Sequence, residues 1–343
     1  MSTTEIIIKT ILLFIIFLVT LLIAMYLTYT ERKVAAFIQD RRGPDRAGPF
    51  GIFQPLADGL KMFMKEEIIP WNSNKTLFVF GPSIAMTTAC MTGAILPWGG
   101  TFNFFGRQIS MQIADLNIGI LYIFAMVSIG VYGIMIGGWA SNNKYSLLGA
   151  VRAASQMISY ELSMGLAIIA LVLVTGSLSL KDIVDQQQGW HWNIFYQPLG
   201  FLIFLICAFA ECNRAPFDLP ECETELIGGY HTEYSGMKLG FYLFAEYINM
   251  FISSAVLATL YFGGYHMPFI GRLGLSMNWL TLIGIIFLFL KIFAFVFLFM
   301  WVRWTLPRFR YDQLMNLGWK ALVPLAVLNV FITGLVIILK EYL

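Results

Sequence analysis

Between residues 209 and 236 the chain reads FAECNRAPFDLPECETELIGGYHTEYSG, six carboxylates (Glu211, Asp218, Glu221, Glu223, Glu225 and Glu233) against one arginine, Arg214. Like charges this close repel, and burial raises the cost of ionising them. Such a cluster is either a solvated connector or a supply of protonatable groups. Three further ionisable side chains stand inside long apolar runs: Glu161 in VRAASQMISYELSMG, Glu246 in GFYLFAEYINMF, and Lys291. A charge at the centre of a bilayer costs about 2.5–3.5 kcal/mol on insertion scales, so an intramembrane charge points to use. A static glutamate–lysine pair joining helices is one reading. The stronger one is a relay of carboxylates, whose proton affinity burial and neighbours can bring toward neutrality. Glu211 closes the apolar run just ahead of the acidic stretch, where it can link the loop carboxylates to Glu161 and Glu246.

Metal and redox chemistry find no such footing. Cys90, Cys207, Cys212 and Cys222 form no Cys-x-x-Cys pair, and His191, His231 and His266 lie far apart. Neither set has the spacing of a zinc site or an iron–sulfur ligand set. No metal or redox centre held by this chain is expected.

The elements that must position these groups are membrane helices. The 343 residues are 58% hydrophobic and 12% charged, with mean hydropathy +0.73, whereas a soluble domain carries about 25% charged residues. Apolar runs of membrane length predict an all-α, polytopic membrane protein with eight transmembrane helices. They fall at about 6–30, 77–97, 115–139, 150–175, 198–212, 239–262, 278–301 and 321–340. The whole of 1–343 reads as one integral membrane domain. The first run is too long for a signal-peptide core and should remain as a span.

Sixteen of the 22 Lys and Arg residues fall in or beside the segments 31–76, 140–149, 213–238 and 302–320. The positive-inside rule then makes those four loops cytoplasmic and puts both termini on the outer side. Glu161 lies nine residues past Arg152, hence roughly 13–14 Å deeper. Tyr242, Glu246, Asn249 and Ser253 form one helical stripe; Arg152, Gln156, Ser159 and Ser163 form another, with Glu161 on the opposite face of that helix. In the first cytoplasmic loop, Gly43-Pro44 and Gly48-Pro49 predict a defined turn. An amphipathic helix follows Pro55, with Gln54, Asp58, Lys61 and Lys65 on one face and Leu56, Leu60 and Phe63 opposite. It is either an interface anchor or the lining of a cavity mouth.

Four blocks carry a resemblance: RKVAAFIQDRRGPDRAGPFGIFQPLADGLKMFMKE, NKYSLLGAVRAASQMISYE, FAECNRAPFDLPECETELIGGYHTEYSGMKLGFYLFAEY and RWTLPRFRYDQLMNLGWK. In this order, and over nearly the whole chain, they resemble the membrane-bound H subunits of NADH–quinone oxidoreductase, respiratory complex I. The resemblance implies a five-helix unit similar to the repeat of antiporter-like subunits, and a place where the membrane arm meets the hydrophilic arm. It implies a quinone-entry chamber, with Glu31, Arg32, Arg42, Asp58, Lys61 and Glu66 lining or supporting it. It implies that Glu221, Glu223, Glu225 and Glu233 belong to an acidic coupling loop, and that Glu211, Glu161 and Glu246 belong to a buried glutamate channel. Some relatives carry a further carboxylate in the third span; here LYIFAMVSIGVYGIMIGGW offers only Ser128 and tyrosines, so water or a neighbouring subunit would bridge that point.

The function so implied is proton-translocating NADH:quinone oxidoreduction, with quinone as substrate and iron–sulfur clusters and flavin in partner subunits. Partners would be the iron–sulfur and quinone-site subunits of the hydrophilic arm, the small and antiporter-like subunits of the membrane arm, and the lipid bilayer, with no nucleic acid. The absence of a transit-type leader suggests a bacterial or organelle-encoded chain, and a bacterial inner membrane is the expectation. Two other readings compete: the equivalent subunit of a membrane-bound hydrogenase or ferredoxin-linked complex, and a stand-alone secondary ion transporter. A charge-dense, proline-braced cytoplasmic surface suits a docking platform better than a transporter.

Overall fold

A computed structural model describes residues 3–104, 107–219, 226–268 and 276–342. The chain is helical almost throughout. α1 (Thr3–Ile38) is followed by the short α2 (Gln54–Met64) and by α3 (Lys75–Thr92). A two-stranded antiparallel hairpin, β1 (Thr101–Phe104) and β2 (Arg107–Ser110), pairs Thr101 with Ser110. Then come α4 (Gly119–Ala140), α5 (Lys144–Thr175), the short α6 (Leu180–Gln186) and α7 (Asn193–Tyr196), α8 (Pro198–Glu211), α9 (Gly236–Tyr261) and α10 (Met277–Thr305). α11 (Tyr311–Asn316) runs through a π-helical turn, Leu317–Leu322, into α12 (Val323–Tyr342).

Local chemistry sets several ends. The Asn143 side chain accepts the Tyr145 N–H at 2.9 Å and starts α5 six residues before the expected 150. Gly176, at φ 67°, ends it in the left-handed conformation that glycine adopts without strain. Pro198 occupies the first turn of α8, where no N–H is needed. Each predicted span has its helix. Among the described residues, six of these are long and apolar enough to cross a membrane. The remaining two are α3, 18 residues with Pro82 inside, and α8. α8 has 14 residues, about 21 Å, short of a hydrocarbon core of about 30 Å. The hairpin is a feature that the helical periodicities do not announce.

The connections gather in two sets. Lys238 pairs with Glu67 at 2.7 Å, Asn143 donates to Glu233 at 2.5 Å, Arg308 pairs with Asp218 at 2.8 Å, and Arg303 reaches Glu31 at 2.5 Å. The four Arg- and Lys-rich segments therefore meet at one end of the helices. The hairpin, α6 and the turn after α9 meet at the other, where Asn278 bonds Asn103, Lys181 approaches Asp115, and Tyr265 bonds Asp185. Between them α3 and α4 pack closely through glycine. A Cβ at Gly81 would stand 2.8 Å from the Gly137 Cα, and one at Gly137 would overlap the Tyr242 hydroxyl, as expected where small residues let membrane helices approach. Tyr242 uses that space to donate to Gly133 O at 3.0 Å.

Candidate functional site

The polar stripe of α9 faces a cavity of about 70 Å³ enclosed by α3, α4, α5, α8 and α9. Tyr242, Glu246, Asn249 and Ser253 all line it, as does Glu211 from the end of α8. A site holds a water in about 10–15 Å³, so there is room for a few. Glu246 Oε1 accepts from the Tyr230 hydroxyl at 3.1 Å. Glu211 is 6% exposed, and its Oε2 is buried without a hydrogen-bond partner. Glu161 lies outside this lining, but Ser128 donates to its Oε1 at 3.0 Å, and Val127 and Gly130, on either side of Ser128, do line the cavity. Glu161 also stands close enough to act on the Glu211 carboxyl electrostatically.

α5 is polar on two faces, as expected. Away from Glu161, buried Gln156 donates to Ala210 O at 2.9 Å and Phe217 O at 2.7 Å, pinning the turn that follows Glu211. Trp319 donates to Ser159 Oγ at 3.2 Å. The alternative of a glutamate–lysine pair is not what forms at Lys291. Its ammonium donates to three backbone carbonyls, Phe262 O at 2.6 Å, Gly264 O at 2.7 Å and His266 O at 3.0 Å, and lies 4.5 Å from the Phe287 ring centroid. Lys291 belongs to the end of the molecule away from Asp218 and Glu233.

A second pocket, about 170 Å³, opens between α1, α2 and α9, with Arg32, Asp58, Met62, Phe244 and Tyr247 in its wall. Asp58 is its polar centre: Arg32 reaches Oδ2 at 2.6 Å, Gln54 donates to Oδ1 at 3.0 Å, and exposed Lys61 lies 3.6 Å from the same atom. Leu56, Leu60 and Phe63 project outward on the other face of α2, as an interfacial helix requires. Arg42 and Glu66 are exposed and do not line this pocket; the Glu66 carbonyl accepts from Ser235 at 3.3 Å.

Glu31 is placed differently from Asp58. It is buried behind the pocket wall, bonded to Arg214 at 2.6 Å and Arg303 at 2.5 Å. Arg214 is 2% exposed and lies 4.2 Å from the Tyr247 ring centroid. Burial, the largest single influence, works against its positive charge, but Glu31, Tyr247 and Glu246 together outweigh it and hold the guanidinium protonated. Glu233 accepts from Asn143, and the expected sites Glu221, Glu223 and Glu225 lie outside the described residues. Tyr230, Tyr247 and the pairing of Glu31 with Arg214 and Arg303 had no sequence signal, because the partners are distant in the chain. Among the described residues no three His, Cys, Asp or Glu side chains gather as a metal site.

Comparison with known proteins extends these observations. A family profile described as NADH dehydrogenase matches residues 10–334. The chain is 68% identical over 331 residues to a Cytophaga hutchinsonii protein named as NADH-quinone oxidoreductase, H subunit 1, covering 96% of this chain and 97% of that one. It is 62% identical over 341 residues to the NADH-quinone oxidoreductase H subunit of Flavobacterium psychrophilum, covering 99% of each. Identity to the corresponding Geobacter metallireducens protein, also named as NADH-quinone oxidoreductase, H subunit 1, is 48% over 325 residues, covering 95% of each.

Proposed function

Because the chain belongs to the family of NADH–quinone oxidoreductase H subunits, we propose that it walls the entry path of the quinone and couples quinone reduction to proton translocation. The pocket between α1, α2 and α9 is the mouth of the quinone chamber. Arg32, Asp58 and Lys61 provide its polar side, Glu31 braces it from behind, and Arg42 and Glu66 belong to the approach. The quinone head is reduced by an iron–sulfur cluster of a neighbouring subunit, which receives electrons from the flavin of the hydrophilic arm. Glu221, Glu223, Glu225 and Glu233 answer that reduction by changing protonation or position. Glu211, Glu246 and Glu161 carry the electrostatic change into the membrane arm, toward antiporter-like neighbours.

The observation that carries this reading is the register of α9. Glu246 borders the cavity that contains Glu211, while the next residue, Tyr247, borders the pocket of Arg32 and Asp58. The body of α9 thus separates the two compartments, and the Glu31–Arg214–Arg303 triad packs against the same Tyr247. A charge that changes in either compartment is felt in the other through the low-dielectric protein between them. In sidedness, the four segments that meet at the Arg308–Asp218 end face the cytoplasm of a bacterial inner membrane, and eight helices bring both termini to the outer side. The five-helix unit is the part of this single domain that contacts the membrane arm.

The test is Glu246→Gln in the assembled complex. Glutamine still accepts from Tyr230 but does not titrate, so the expected outcome is normal assembly and a lower proton yield per electron. An unchanged yield in sealed vesicles would remove the cavity from the coupling path.

A further inference from the structure

At the hairpin end of the molecule lies a cavity of about 330 Å³, bounded by residues 97–112, α6, the turn after α9 and the start of α10. One acceptor of its wall is open to a donor. Asp185 Oδ1 accepts from the Tyr265 hydroxyl at 2.9 Å and lies 3.4 Å from His266 Nε2, while Oδ2 accepts no hydrogen bond among the described residues. The hydrogen bond from His266, helped by that from Tyr265, outweighs burial and holds the Asp185 carboxyl below its usual range. A cation stands nearby: Lys181 lines the cavity, and its Nζ is only loosely engaged, 3.8 Å from Asp115. Lys291 fixes this geometry from behind, since its ammonium ties down the carbonyls of 262, 264 and 266.

An apolar groove of about 200 Å³ follows on the same face of α10. Thr281 lines the cavity, and Ile285 and Phe289, four and eight residues on, line the groove together with Ile15 and Val19 of α1 and with Trp98. At 1.5 Å per residue the groove extends roughly 12 Å below the cavity toward the middle of the helix. Its one hydroxyl, Thr20, is satisfied by Ile16 O at 2.7 Å. The groove therefore suits hydrocarbon and nothing polar.

We propose that cavity and groove together bind one aminophospholipid: its primary ammonium donates to Asp185, its phosphate faces Lys181, and one acyl chain lies along Ile285 and Phe289. The N–H donors are the discriminating feature. A trimethylammonium headgroup has the same charge and no donor, so it makes no hydrogen bond to Asp185, and an anionic headgroup without an amine meets Asp185 unfavourably.

The test uses the assembled complex with a benzophenone amino acid at Leu280, a residue of the cavity wall. The complex is reconstituted in nanodiscs holding equal amounts of phosphatidylethanolamine, phosphatidylcholine and phosphatidylglycerol, and the masses of the lipid adducts are read after illumination. The expected result is a phosphatidylethanolamine adduct about ten-fold above either other lipid, as a hydrogen bond to a charged acceptor warrants. Asp185→Asn should bring the three adducts close to equal. Equal adducts in the complex with Asp185 intact, or an unaltered preference in Asp185→Asn, would overturn the proposal. Should Asp185→Asn fail to assemble, the three-lipid comparison with Asp185 intact still decides. Excess free phosphoethanolamine should leave the adduct in place; if it displaces the lipid, the site takes a soluble amine and the lipid assignment fails.

Discussion

Lys291 and Glu211 are both ionisable, buried to 7% and 6% exposure, and set in helices of an apolar protein, yet their surroundings differ in kind. Lys291 has three carbonyl partners within 3.0 Å and two aromatic rings against it. Glu211 has a cavity beside it and an oxygen with no partner. The Glu31–Arg214–Arg303 cluster resembles the Lys291 region: its charges are matched, at short range, by groups on other elements. A charge held by fixed partners has one stable state, and removing it leaves buried groups unpaired. A carboxyl beside room for water, with no fixed donor, can change protonation without dismantling its neighbours. Burial alone thus does not identify a relay; the count of fixed partners does.

The largest effect that would sharpen this contrast is expected for Glu31→Gln. It leaves Arg214 and Arg303 without their shared counter-charge, and breaking a buried pair costs about 3–5 kcal/mol. The measurement is the amount of assembled complex in membranes, which should fall steeply. Normal levels would mean that the triad is not a fixed element. Lys291→Met comes next: it strands three carbonyl acceptors, each worth about 1–3 kcal/mol when left unsatisfied, part of which water recovers. Its thermal midpoint should drop, while the proton yield of the surviving complex stays normal; a reduced yield would place Lys291 in the relay after all.

Glu211→Gln should be nearly neutral for assembly, because no fixed partner is lost, and its effect should appear as reduced proton yield per electron. Loss of assembly with a normal yield would erase the distinction drawn here. The smallest effect concerns pH at Asp185. Its carboxyl is held below the ordinary value of 3.8, chiefly by the His266 hydrogen bond. Its contribution to stability is accordingly full above about pH 3.8 and lost as pH falls through the lower folded-state value. The side chain is 43% exposed, so solvent screening keeps the contribution small. Asp185→Asn should flatten the acid limb of the thermal-midpoint profile slightly, and an unchanged limb would remove Asp185 as a titrating support of that turn.

Several of these residues were visible beforehand and several were not. Tyr242, Glu246, Asn249 and Ser253 recur at helical spacing, so one face of α9 had to be polar, and that face borders the cavity. Asp58 was legible for the same reason. The carbonyl cage of Lys291 was not, because its acceptors are backbone groups that every sequence supplies; only the path of 262–266 brings them together. The Glu31 triad joins residues 183 and 272 positions apart, a separation at which no periodicity operates. The four-residue strands of the hairpin are too short for an alternating pattern to stand out.

By itself, the sequence determined the class of the molecule: apolar runs of bilayer length can satisfy their backbone only as helices, and the bias of Lys and Arg sorts their connections into two sets. Those are properties of local composition and spacing, and they hold whatever the helices pack against. Tertiary structure decided which buried charges are bound and which are free. That depends on atoms meeting within about 3 Å, a condition set by how helices cross and where turns are pinned. Glu31 and Glu211 are the same residue type in similarly apolar settings. Packing encloses the first between two arginines and leaves the second beside a cavity.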